Sequence, residues 1–220
     1  MSKFLEPKER LKVLELFSGI GGWARAFQRV ERGSCAHVFD VEKAVDINSC
    51  ANYVYELNFG LKPITRNIET FTEDDLAGYD ILVMSPPCQP FTRNNTSATR
   101  DEWDPRSNAL VHLSHLLRDM AVDALPKFIA LENVVGFEGS ACCALVLHVL
   151  AQRGFECAHF HLCPTQLGVP MGRPRYYLVC RLRRCTHARE TLQEGSSTVE
   201  SGPEHSSGKR GWVQGLTATS

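Results

Sequence analysis

The chain has 220 residues, 43% of them hydrophobic and 22% charged, with a formal net charge of −1. That length suits one domain with a full hydrophobic core and excludes a chain disordered throughout, and the near-neutral charge supplies no global attraction to a polyanion, so a nucleic acid or membrane surface would have to be held by local basic clusters. Nine cysteines, an odd number, with a start that lacks the long apolar segment of a secretory signal, point to a reducing compartment, cytosol or nucleus, and no run approaches the roughly 18 apolar residues of a membrane span.

Lys12-Val13-Leu14-Glu15-Leu16-Phe17 reads as a strand, followed by a turn, Ser18-Gly19-Ile20-Gly21-Gly22, and a helix from Trp23 to Val30. A strand, a glycine turn and a helix start open a nucleotide-binding βαβ unit, because glycines let the backbone approach a ligand closely; a tight turn with no ligand is the competing reading. The next strand ends at Val45-Asp46, before a helix from Asn48 to about Leu57. An acid at the tip of the second strand is where ribose hydroxyls are usually held, and Asp46 is the candidate. Asp40 and Glu42 are rivals, and an ordinary helix-capping aspartate is the plain alternative. A third short strand around residues 63–66 leads to Asn67-Ile68, and the acidic connection from Glu69 to Asp75 reads as a solvated face.

Ile81-Leu82-Val83-Met84 is a short, continuous apolar run, the pattern of a strand buried on both faces of a parallel sheet. Pro86 and Pro87 stop it, and with φ fixed and no N–H they would hold Cys88 just beyond the strand's carboxyl end, where open α/β sheets place their chemistry. Cys88 is a candidate nucleophile; a buried loop cysteine is the alternative. The polar stretch from Thr92 to Asp104 reads as an active-site loop. A helix from about Ser107 to Asp123 follows, with Leu110, Leu113, Leu117 and Met120 on one face, and His112 and His115 are read as surface or satisfied histidines.

Phe128-Ile129-Ala130-Leu131 is a second continuously apolar strand, ending in Glu132-Asn133-Val134. If it neighbours the Ile81–Met84 strand, Glu132 and Cys88 face one crevice. A cysteine with an acid is the working pair for adding to a pyrimidine ring. A helix from Ala141 to Arg153 follows, with Gly154 as its stop. Cys157, His159, His161 and Cys163 alternate along the next strand, but residues two apart on a strand lie about 6.6 Å apart, so four such ligands cannot converge on one ion and no metal site is expected. The last strand, Tyr176 to Leu182, is preceded by Gln166 and by Arg173-Pro174-Arg175. Two arginines pointing one way suit a phosphate or a base edge; surface arginines on an edge strand are the alternative. From Arg184 the composition turns to Ser, Gly, Thr and Glu without periodicity. The expected division is therefore a catalytic domain over 1–183 and a disordered Ser/Gly-rich tail over 184–220.

Phe17-Ser18-Gly19-Ile20-Gly21-Gly22, Pro86-Pro87-Cys88-Gln89, Glu132-Asn133-Val134 and Gln166 through Arg175 stand in the order and spacing of the cytosine carbon-5 methyltransferases, which this chain resembles over about residues 11–183. Pro86 through Arg93, with Asp46-Ile47-Asn48 and Ala51-Asn52-Tyr53-Val54-Tyr55, looks like the branch that methylates tRNA, notably aspartate tRNA. The DNA enzymes usually carry Gly and Ser where this chain has Pro90 and Thr92, so DNA is the second candidate partner.

The resemblance implies an α/β, Rossmann-like sheet, mostly parallel with an antiparallel last strand, that uses S-adenosyl-L-methionine as cofactor. It further implies that Cys88 attacks carbon 6 of a cytosine, that Glu132 holds or protonates ring nitrogen 3, and that Arg175, with Arg173 close by, orients the base. Phe17, Ser18, Gly19, Ile20, Gly21, Gly22, Ile47 and Pro86 would line the cofactor pocket, Asp46 would take the ribose, and Asn67-Ile68 would lie near the adenine. Against the family pattern, the target-recognition region and the final helix are missing, as is the Cys-Phe-Thr signature of the tRNA branch. A truncated, catalytically impaired form that acts only as a cofactor-binding or interaction fragment is therefore the alternative function. An NAD-dependent dehydrogenase would fit the glycine turn and Asp46 but leave Pro86 to Gln89 and Glu132 without a role.

Overall fold

The computed structural model describes residues 10–34, 38–87 and 107–183. Strands and helices alternate as β1 (Leu11–Leu16), α1 (Gly22–Ser34), β2 (Phe39–Asp46), α2 (Ser49–Phe59), β3 (Ile64–Thr65), α3 (Glu73–Leu76), β4 (Ile81–Met84), α4 (Asn108–Asp119), β5 (Phe128–Val134), α5 (Ala141–Gln152), β6 (Phe155–Leu162) and β7 (Arg175–Leu182). The expected strands and long helices all form. The helix expected to reach Asp123 stops at Asp119, and the chain continues through a separate 3-10 turn over Val122–Ala124. The anticipated tail over 184–220 lies outside the described residues.

The strands make one sheet in the order β3-β2-β1-β4-β5-β7-β6. β1 to β5 run parallel, whereas β7 is antiparallel to both β5 and β6. The strand order reverses between β1 and β4, which makes the carboxyl ends of those two strands the topological switch point where α/β sheets bind ligands. β7, last in sequence, is inserted between β5 and β6, so the arginine at its start sits on an interior strand and not on an edge.

Burial of both sheet faces explains the apolar runs. Leu14, Leu16, Leu82, Met84, Ile129 and Leu131 pack on one face against Leu110, Leu113 and Leu117 of α4 and Val146, Val149 and Leu150 of α5. Val13, Ile81 and Val83 pack on the other, under Trp23 and Phe27 of α1. Each fully buried aliphatic side chain contributes about 1.5–3 kcal/mol by leaving water. On that second face the β5-β7-β6 end is more open: Phe128, Leu162 and Val179 are 36%, 39% and 43% exposed.

Local chemistry sets the element ends. Asn48 caps α2, its side-chain oxygen accepting from the amides of Cys50 and Ala51, and Gly60 closes it at φ 70° with its amide on Glu56. Ser140 caps α5 by accepting from the amide of Cys143. Among the described residues no helix is long and apolar enough to cross a membrane.

Candidate active site

The turn after β1 is held in an unusual backbone path. Phe17, Gly19 and Gly21 have φ of 53°, 50° and 93°. A Cβ on Gly21 would lie 2.1 Å from Cε2 of Phe59, so this glycine is required twice, for its dihedral and for the close approach of α2. The amide of Ser18 bonds to the carbonyl of Val45 at 3.1 Å, and the amide of Gly19 to Oδ2 of Asp46 at 2.8 Å. Asp46 Oδ1 accepts from the amide of Asn48 at 2.8 Å. Asn52 fixes the same corner through the carbonyl of Asp46, 3.1 Å, and the hydroxyl of Thr65, 2.9 Å.

A carboxylate offers about four acceptor positions, so Asp46 keeps capacity for hydroxyl groups beyond those two amides. Its rivals stand elsewhere: Asp40 is exposed near the amino end of β2, and Glu42 pairs with Lys12 Nζ at 2.9 Å. Ile20 and Ile47, beside the turn and Asp46, are 61% and 68% exposed apolar side chains, and the hydroxyl of Ser18 is buried with no hydrogen-bond partner. Asn67 caps the next turn by accepting from the amide of Glu69 at 3.0 Å, while the side chain of Ile68 goes into the core.

Beneath this turn lies a group that the sequence reading passed over. Glu15 on β1 has no solvent exposure; its Oε2 accepts from the hydroxyl of Tyr55 at 2.8 Å and its Oε1 from the amide of Trp23 at 3.2 Å. Burial pushes its pKa up to about 7, against the opposing pull of Tyr55 and of the Trp23 and Ala24 amides at the start of α1. The signal was a lone acid inside the apolar run Val13 to Phe17. Trp23 in turn donates its indole N–H to Ser85 Oγ at 3.0 Å and meets Tyr177 of β7 edge-on, 6.3 Å between ring centres. Glycine turn, β4 tip and β7 are thus joined through one side chain.

At the other side of the switch point β4 and β5 are neighbours, with Met84 opposite Leu131. That register brings the segment after Met84 beside Glu132 and Asn133, and Asn133 Nδ2 reaches the carbonyl of Pro86 at 3.4 Å. Glu132 is paired with Arg175, Nε to Oε1 3.0 Å, both part-buried, because Glu132 and Tyr177 are directly opposed on β5 and β7. Arg175 also donates to the carbonyl of Pro174 at 2.9 Å. Arg173 is exposed on the segment leading into β7. Cys88 lies outside the described residues, as does the expected loop from Thr92 to Asp104; Pro86 is buried.

The alternating Cys and His of β6, with Cys163 just past its end, go separate ways. His159 Nδ1 contacts the hydroxyl of Tyr176 at 2.7 Å, His161 Nε2 lies 3.0 Å from Glu138, and the thiol of Cys163 accepts from Thr165 at 3.1 Å. Among the described residues no group of three potential ligands could hold a metal ion. His112 is satisfied by the carbonyl of Phe71 at 2.9 Å.

The model of the C-5 cytosine-specific DNA methylase family matches residues 11–207, most of the chain. The chain belongs to that family. Within it, the tRNA (cytosine(38)-C(5))-methyltransferase of Bos taurus is 42% identical over 178 residues, a stretch that covers 80% of this chain and 43% of the relative. A protein of Dictyostelium discoideum named DNA (cytosine-5)-methyltransferase is 35% identical over 178 residues, 79% of this chain and 45% of its own length. The crystal structure of the Schizosaccharomyces pombe Dnmt2 methyltransferase superposes with a TM-score of 0.66 at 35% identity, covering 79% of this chain and 50% of that one. The chain therefore spans about half the length, or less, of these family members. The cofactor used across C-5 methyltransferases, S-adenosylmethionine, is compatible with the corner described: two left-handed glycines and the unpaired Ser18 hydroxyl at the turn, a carboxylate with spare acceptors at Asp46, and exposed apolar Ile47 beside it.

Proposed function

We propose that this fold carries out methyl transfer from S-adenosylmethionine to carbon 5 of cytosine in tRNA, through transient addition of Cys88 to the base. The observation that supports this most is the meeting of Glu132, Arg175 and the Pro86-Pro87 segment at the carboxyl end of the parallel strands, next to the glycine turn. When bound, the cofactor supplies an electrophilic methyl group. The residues of the chain do the rest. Cys88, as thiolate, adds to carbon 6; Glu132 accepts from the exocyclic amine and delivers a proton to ring nitrogen 3, so that negative charge does not build on the ring and carbon 5 becomes nucleophilic. Arg175 holds the Glu132 carboxylate in place through its Nε contact. After methylation, the carbon-5 proton passes to solvent, Cys88 leaves as thiolate, and the proton on ring nitrogen 3 returns to Glu132, which restores the aromatic ring and the starting state of the site.

Attack on carbon 6 needs the base out of its stack, which costs least in an RNA loop, and the relatives named for tRNA favour that substrate over duplex DNA. With a net charge of −1, the RNA would be gripped by local cations such as Arg173. The test is labelled-methyl incorporation into tRNA and DNA in parallel, with Cys88→Ala as control. Incorporation into tRNA that vanishes in the variant is the expected result; incorporation into DNA alone, or label that persists in the variant, rejects it. A second reading, cofactor binding without turnover, is favoured by the open apolar face at β5-β7-β6. Calorimetric binding of the cofactor with no label transferred to either nucleic acid would establish it.

A further inference from the structure

Cys157 on β6 stands directly opposite Cys180 on β7 in the antiparallel ladder. Opposed residues of such a ladder have Cα atoms about 4.5–5.5 Å apart, inside the span that a disulfide bridges without backbone movement. Both thiols lie on the face covered by α5, Cys180 wholly buried in the core and Cys157 half-buried against it, and both are free cysteines. Cys143 of α5 comes near them, but its thiol contacts the hydroxyl of Tyr176 at 3.8 Å.

We propose that Cys157 and Cys180 form a redox-active dithiol that closes to a disulfide when the chain meets a peroxide. The two positions have different parts in it. Cys157 is the thiol an oxidant reaches; the hydrogen bond from Cys180 holds it below the usual thiol range, while that same contact and burial push Cys180 up. The Cys157 thiolate attacks one peroxide oxygen, the O–O bond breaks, and hydroxide leaves to become water, giving a sulfenic acid at Cys157. The sulfur of Cys180 then attacks the Cys157 sulfur, loses its proton, and expels the sulfenic oxygen as a second water. Two thiols and one hydrogen peroxide become one disulfide and two waters.

The bond would close a loop that contains Gln166 and Arg173 and would tie β6 to the strand that carries Arg175. In a reducing compartment such a bond is transient and is reversed by thiol exchange. The proposal does not depend on the methyl-transfer reading, because neither cysteine belongs to that site.

The reduced, full 220-residue chain is treated with hydrogen peroxide at stoichiometric ratio, remaining thiols are alkylated with N-ethylmaleimide, and unreduced peptides are mapped by mass spectrometry. The expected product is the Cys157–Cys180 linked peptide, two hydrogens lighter than the reduced pair and restored by dithiothreitol. Cys180→Ser should arrest the reaction at a Cys157 sulfenic acid that dimedone traps, and Cys157→Ser should leave Cys180 alkylatable on unfolding. A Cys143–Cys180 link, or recovery of both cysteines of the native chain as alkylated thiols, overturns the proposal; because this readout needs only the native chain, it holds even if a variant fails to fold.

Discussion

Glu15 is a carboxylate without solvent exposure, and burial pushes its pKa up from an ordinary 4.5 to about 7, even though a tyrosine hydroxyl and the first amides of a helix donate to it. Between those values the folded chain keeps a proton that the unfolded chain has released. The stability tied to Glu15 is therefore fully present below about pH 4.5 and is lost as pH rises through about 7, roughly 3 kcal/mol in all. Glu15→Gln keeps the shape without the titration. In urea denaturation from pH 5 to 8 the variant should gain on the native chain as pH rises; parallel curves would mean that Glu15 does not titrate there. Tyr55→Phe removes a donor to the charged form and should cost about 1–3 kcal/mol, more at pH 8 than at pH 5. Gly21→Ala meets both a φ of 93° and the ring of Phe59, whereas a Cβ on Gly22 meets nothing within 4 Å. The first should lower stability by about 1–3 kcal/mol in the same assay and the second should be close to neutral.

At the scale of elements, the corner that joins β2 to α2 does two jobs at once. Asn48 caps the helix through Cys50 and Ala51, and its own amide is held by Asp46, the residue that also receives Gly19. Asn48→Ala should cost about 1 kcal/mol, and Asn48→Asp, which keeps the acceptor, should cost little. The pairing of β4 with β5 and of β5 with β7 is what delivers Glu132 to Arg175. That ion pair is partly exposed, 18% for Arg175 and 24% for Glu132, so Arg175→Ala should change the unfolding free energy by less than about 1 kcal/mol, while leaving Glu132 without its positioning contact. A larger loss in urea denaturation would show that the pair holds the strands together as well as the site.

For the molecule as a whole, ligand linkage offers a check that needs no turnover. A cofactor that binds the folded chain alone stabilises it by about 2.7 kcal/mol at a hundredfold excess over its Kd, which in a domain of this size raises Tm by about 5–10 °C. S-adenosylmethionine should produce such a shift, and Asp46→Ala should abolish it. An equal shift in both proteins, followed by scanning calorimetry, would place the ligand away from the glycine turn.

The apolar runs Ile81–Met84 and Phe128–Leu131, the glycine turn and the acid at Asp46 were legible in the sequence, because burial on both faces of a parallel sheet and left-handed turns leave few residue types to choose from. The same is true of Gly154, the stop after α5, which has a φ of 82°. Glu15, Trp23, Ser85, Tyr55 and Asn133 were not, since each acts through a partner far away in the chain: Tyr55 is forty positions from Glu15, and Ser85 sixty-two from Trp23. Nor does a local pattern say that β7 inserts between β5 and β6, because strand order depends on which edges pair, not on which residues form strands. The sequence by itself determined the elements and the chemical types at their tips; only the tertiary structure decided which tips meet, since long-range pairing is set by how whole faces are buried together.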